Sequence, residues 1–117
     1  MHLLKERLTG SVLLFGGGAR FKPYPGSTTV STVNGGVIGM MQTLSLELAP
    51  VRVNVIHPGV VVDSPYWAGR TELLEPIRQN TLTGRLATMA DVVGACLFLG
   101  DNQAANRVEL LLDGALR

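Results

Sequence analysis

The sequence has a single cysteine, Cys96, and little charge of either sign. One cysteine excludes an internal disulfide, and Cys96 sits among Val93, Leu97 and Phe98, the setting of a small buried apolar residue and not of a metal ligand. Charged residues make up 16% of the chain and leave a net charge of +1. Lys5, Arg7, Arg20, Lys22 and Arg52 are scattered along it, whereas a nucleic-acid partner needs basic residues gathered on one face. No uninterrupted apolar run approaches the roughly 20 residues of a membrane-spanning helix. Lys5, Glu6 and Arg7 occupy the stretch where a secretory signal would be apolar. These absences lead to the expectation of a cytoplasmic chain with no nucleic-acid or membrane partner.

What is abundant is apolar residue, 46% of 117 positions. A small domain has proportionally more surface to cover with polar groups, so this richness implies that some apolar surface faces a partner. The length allows one domain at most, and residues 1–117 are read as a single, partial one.

The order of elements follows from periodicity. Residues 2–8 read as the last turns of a helix, with Leu3, Leu4 and Leu8 apolar. Ser11 to Phe15 is a short apolar run without alternation, as in a strand covered on both faces, and Gly16, Gly17 and Gly18 end it. From Thr28 or Thr29 to Leu48, apolar residues at 30, 33, 37, 41, 44 and 48 define a helical stripe, stopped by Pro50. Val51 to His57 is β-branched and apolar, completing a strand–helix–strand crossover. Residues 71–79 suit a short helix. Thr88 and Asp91 suit the N-terminus of another, running Val92 to Leu99 with Gly100 at its C-cap. Val108 to Asp113 reads as a third strand. The fold class is therefore α/β, half of a doubly wound, Rossmann-like parallel sheet with three strands and crossover helices.

Leu13 to Gly18, then KPYPGS, a long helix ending SLELAP, then VRVNVIHPGVV, TGRLATMADVVGACLFL and VELLLDG follow one another in an order that resembles the C-terminal half of a short-chain dehydrogenase/reductase. The likeness runs from about Leu8 to Gly114. In that family a tyrosine passes the hydroxyl proton, a lysine four residues later lowers the tyrosine's pKa and holds the ribose, and a serine orients the substrate oxygen. The resemblance places these positions at Val30, Asn34 and Gly17. Valine has no proton to give and asparagine no charge, so the acid/base pair is absent. Tyr24 and Lys22 precede the helix and are not expected to replace it.

The resemblance implies NAD or NADP in a full-length parent and no cofactor for the isolated chain, because the pyrophosphate turn of the family would precede Met1. Gly16 to Gly18 is not that turn: a G-x-G-x-x-G starting at Gly16 requires glycine where Phe21 stands. On the nicotinamide side the resemblance leaves Pro58, Gly59, Val61 and Ser64 as vestigial contacts. His57 and Asn54 are read as structural groups. Gly35, Gly36 and Gly39 lie in a helix, each costing about 1 kcal/mol against alanine, which calls for close approach by another helix or a cofactor. Tyr66, Trp67, Leu73, Leu74 and Ile77 fit a substrate-covering segment or a partner surface equally. The expected function is assembly without independent hydride transfer, as a homodimer through the Val30 to Leu48 helix or an exposed strand edge. The alternative is part of a longer NAD(P)-binding oxidoreductase with an altered active site.

Overall fold

A computed structural model describes residues 10–117, so the expected helix end at residues 2–8 lies outside the described residues. Three parallel strands, β1 (Ser11–Phe15), β2 (Arg52–Pro58) and β3 (Glu109–Leu112), form one sheet in the order β1-β2-β3. Val12 pairs with Val53 and Ile56 with Leu110, so β2 is the central strand among the described residues. Helix α1 (Thr28–Glu47) connects β1 to β2, and α2 (Thr71–Gln79) and α3 (Met89–Asp101) lie between β2 and β3.

Alternation along β2 assigns its two faces. Val53 and Val55 join Met41, Leu44 and Leu48 of the α1 side in one core cluster, with Val12, Leu14, Val37 and Ile38 packed against it. Ile56 joins Leu99 and Ala105 in a second cluster, with Leu13, Ala95 and Cys96 at its margin. Helices therefore cover both faces, as the Rossmann-like reading expects. Burying each of these large side chains contributes roughly 1.5–3 kcal/mol.

Two sequence expectations change. The helical stripe of α1 is core only from Val37 onward, because Val30 and Val33 are 47% and 60% exposed. Helix α1 returns against the strands, and its first turns stand where the strands give way to loops. Gly100 is not a C-cap: α3 continues to Asp101, and Asn102 caps it. The reason is Arg52, buried at the start of β2, whose guanidinium donates to the carbonyls of Leu99, Gly100 and Ala105. The helical carbonyls of Leu99 and Gly100 thus find their partner in a side chain, and a cation there also suits the helix dipole. At the other end of α3, Thr88 and Asp91 form a complete capping box.

Candidate functional site

The carboxyl ends of all three strands open onto one cleft of about 780 Å3. Its walls come from the glycine turn after β1 (Gly16, Gly17, Gly18), the loop that follows (Ala19, Phe21, Lys22, Tyr24), the first turns of α1 (Val30, Asn34), the end of β2 (Pro58, Gly59, Val60) and the chain after β3 (Asp113, Ala115, Leu116). The C-terminal wall is fixed by pairing with the segment after α2: Leu82 and Thr83 donate to Ala115 and Gly114, and Arg117 donates to Asn80. Gly114 has φ +65, and a methyl there would sit 2.5 Å from Thr83 Oγ1, so only glycine makes this bend.

The floor is built from β1 and β2. After Phe15 the chain donates once more along the ladder, from Gly16 N–H to Ile56 O, and then turns into a short 3-10 segment, Gly18–Arg20. Beneath that turn lies His57, fully buried. Its ring fills the space a side chain at position 16 would take, since a methyl built on Gly16 falls 2.3 Å from Nδ1. Nδ1 accepts the Gly17 N–H at 3.0 Å. Nε2 lies 2.8 Å from Glu109 Oε1, which in turn is 3.5 Å from Arg20 Nε. The His57–Glu109 contact is short but too oblique for a hydrogen bond, and neither buried atom makes a hydrogen bond elsewhere. Phe21 packs edge-on against the imidazole.

Gly17, Val30 and Asn34, the three positions singled out in the sequence, meet at this cleft. A methyl on Gly17 would sit 2.6 Å from Asn34 Nδ2, so the asparagine amide lies against the bare glycine. Pro58 and Gly59 also line the cleft, Gly59 being pressed against Asp113. Val61 and Ser64 do not line it. Val61 bridges to Ala87, and the Ser64 carbonyl closes a turn by accepting from Trp67 and Ala68. Neighbouring Asp63 accepts the Met89 N–H, which ties this loop to the start of α3. Tyr66, Trp67, Leu73, Leu74 and Ile77 are likewise outside the lining. Leu74 is buried and Tyr66 is exposed beneath the Arg70 guanidinium, 4.5 Å from its ring centre.

Lys22 and Tyr24 do line the cleft, which their place in a loop ahead of α1 did not suggest. His57 does not, so it is no direct proton donor to a molecule bound there. Glu109 was missed as its neighbour. The signal was a lone charge inside the apolar run VELLL, but the pairing needs the β2–β3 register, in which Val55 stands opposite Glu109. Asn54, on the α3 face, is buried; it donates to Ala105 O and accepts the Val108 N–H, a structural role. Among the described residues no cluster of three or more candidate metal ligands occurs, and no helix is long and apolar enough to cross a membrane.

A parallel sheet covered on both faces, with a cleft at the carboxyl ends of its strands, defines a Rossmann-type nucleotide-binding class of fold. The chain belongs to the SDR family, the SDR-like Rossmann domain, which matches residues 2–115. It is 36% identical over 121 residues to a (-)-trans-carveol dehydrogenase of Rhodococcus erythropolis, covering 88% of this chain and 43% of that protein. It is 34% identical over 97 residues to the short-chain dehydrogenase/reductase malC of Malbranchea aurantiaca, covering 80% and 37%. The solved structure of that MalC reductase/Diels-Alderase superposes with a TM-score of 0.83 over 90% of this chain and 41% of its own, at 33% identity. A small-chain dehydrogenase in complex with NADPH gives a TM-score of 0.83 over 94% of this chain and 53% of its own; at 23% identity it shows the fold alone. The chain thus spans less than half the length of the curated relatives it matches here.

Proposed function

We propose that this chain is the substrate-side half of a short-chain dehydrogenase/reductase unit that carries no independent hydride transfer and acts through assembly. The observation that carries the reading is the convergence of Gly17, Val30 and Asn34 on one cleft. The resemblance puts the family's serine, tyrosine and lysine at these three places, and none of the three residues can donate a proton or hold a positive charge. A phenol of pKa about 10 needs a neighbouring cation to act near neutral pH, and neither partner of that pair is present. Relatives in the family work with NAD or NADP, but the described residues fit such a cofactor only in part. They offer a cleft beside Pro58 and Gly59, yet the glycine turn after β1 leads into a 3-10 segment and then Pro23 and Pro25, not into a helix N-terminus that would hold pyrophosphate.

The test is direct. The 117-residue chain carrying Val30→Tyr and Asn34→Lys should turn over no alcohol or ketone with NAD(H) or NADP(H), and calorimetric titration of the unmodified chain should show no binding of either dinucleotide. Turnover above a no-enzyme control, or a micromolar dissociation constant, would overturn the proposal.

Assembly is supported by exposed apolar surface. On α1, Val33, Met40 and Leu46 are exposed, and methyls built on Gly35, Gly36 and Gly39 would meet nothing within 4 Å, so no element of the described chain approaches those glycines. On α3, Val93, Leu97 and Phe98 are exposed as well. Strand β1 has a partner only on its β2 side among the described residues, and an unpaired apolar edge invites pairing. A symmetric dimer through α1 or the β1 edge follows, and light scattering coupled to size exclusion should show it at micromolar concentration. A folded, monodisperse monomer would refute it. The same open β1 edge favours a second reading, part of a longer NAD(P)-binding oxidoreductase with an altered active site. The mass of the native polypeptide separates the two: 12.5 kDa for the first, about twice that for the second.

A further inference from the structure

The floor of the cleft rests on a single buried imidazole whose two nitrogens are treated differently. Gly17 N–H points at Nδ1 from 3.0 Å, so Nδ1 must present its lone pair and the ring's proton must sit on Nε2. Nε2 faces the Glu109 carboxylate at 2.8 Å, off the axis of a good hydrogen bond, and neither atom makes a hydrogen bond elsewhere, although Glu109 Oε1 also lies 3.5 Å from Arg20 Nε. A buried polar pair without a well-formed hydrogen bond is uncommon and calls for an explanation. The charged groups facing the ring are Glu109 from β3 and, behind it, Arg20 from the turn; α1 brings only the uncharged Asn34 to Gly17.

We infer that His57 is a proton-sensitive pin that holds the Gly16–Phe21 turn, and with it one wall of the cleft, in place only while the imidazole is neutral. A second proton on the ring goes to Nδ1, which then meets Gly17 N–H donor to donor. The Gly17 link is lost, while the Nε2 contact with Glu109 becomes a full ion pair that keeps the ring seated. Protonation thus exchanges the hold on the turn for a hold on β3. The freed turn carries Phe21 and Lys22, both on the cleft wall. Gly16 makes the device possible, because any side chain there would expel the ring. His57 acts through Gly17 and does not touch a ligand, so it is a positioning residue. The inference stands on this geometry and does not depend on the functional proposal above.

Nuclear magnetic resonance of the 15N-labelled chain tests it. At neutral pH the imidazole nitrogen shifts should report a bare Nδ1 and a protonated Nε2. On acidification, exchange protection at the amides of Arg20, Phe21 and Lys22 should fall about tenfold, the equivalent of one hydrogen bond, while Val55 and Ile56 keep theirs. His57→Asn, whose side-chain oxygen can replace Nδ1 as acceptor without titrating, should make the turn's protection independent of pH. Glu109→Gln, which removes the ion pair that rewards protonation, should move the loss to lower pH, a readout that survives if a His57 variant fails to fold. A protonated Nδ1 at neutral pH, turn protection unchanged by pH in the unmodified chain, or simultaneous loss at Val55 and Ile56 would each overturn the inference.

Discussion

The two ends of β2 each bury a polar side chain, and they do so on different terms. At the amino end Arg52 gives three hydrogen bonds to carbonyls around the C-terminus of α3, and Asn54 both donates and accepts across the same gap. Asn106 completes the set by accepting the Val53 N–H. Every one of these partners lies about 50 residues along the chain, so the network locks β2, α3 and the approach to β3 together. At the carboxyl end His57 has one good hydrogen bond, to a turn, and one oblique contact with a carboxylate. A fully paired buried network specifies one arrangement, and the His57 end has fewer bonds with which to do so. The rigid end is the scaffold, and the adjustable end is the floor of the cleft.

The largest effect should come from breaking the rigid end. Arg52→Met fills much of the same volume but leaves the carbonyls of Leu99 and Gly100 without their donor, while Ala105 O keeps Asn54. A loss of about 3 kcal/mol is expected, read from the urea midpoint, because buried acceptors stripped of a charged donor keep their full desolvation cost. A loss under about 1 kcal/mol would show that water reaches these carbonyls and that the two ends do not differ in kind. At the cleft end, two adjacent glycines sharpen the contrast. Gly16→Ala drives a methyl into the buried His57 ring and should cost about 2 kcal/mol by overpacking. Gly17→Ala meets only the half-buried Asn34 amide, which can rotate away, so about 0.5 kcal/mol or less is expected. Equal costs for the two would mean that the imidazole is not the rigid element beneath the turn.

Much of the fold was legible because it is local. The stripe at Val37, Met41, Leu44 and Leu48, the β-branched run of β2 and the Thr88–Asp91 spacing each announce an element through neighbouring residues alone. The failures are cases where a distant partner decides. Gly100 reads as a helix stop, and only Arg52, 48 residues away, explains why the helix runs past it. Val33 belongs to the stripe but stands beyond the sheet it was expected to cover. In the site, Gly17, Val30 and Asn34 were named from the order of sequence motifs, and the fold brings them to one cleft. Val61 and Ser64 were named the same way and are not among the residues lining that cleft; Val61 is drawn into a bridge with Ala87. The Arg20–Glu109–His57 chain was out of reach, because three residues from three separate segments meet only once the strand register is set.

The smallest effect concerns α3 at the end opposite to Arg52, where the helix is held by exposed groups. The Asp91 carboxyl is kept below the ordinary carboxylate range, first by the Thr88 N–H, then by the Thr88 hydroxyl and by Arg85. A carboxylate whose folded-state value is depressed stabilises the folded state above its unfolded value, about 3.9 for aspartate, and that contribution is lost as the pH falls through the lower folded value. Between neutral pH and about pH 5 the N-terminus of α3 should therefore be insensitive to acid, and it should loosen only below the ordinary aspartate range. Thr88→Ala removes the reciprocal half of the box and should cost about 1 kcal/mol at neutral pH. Exchange at the Asp91 and Val92 amides reads both effects. Protection lost at these amides between neutral pH and about pH 5 would show that Asp91 is not held below the ordinary aspartate range.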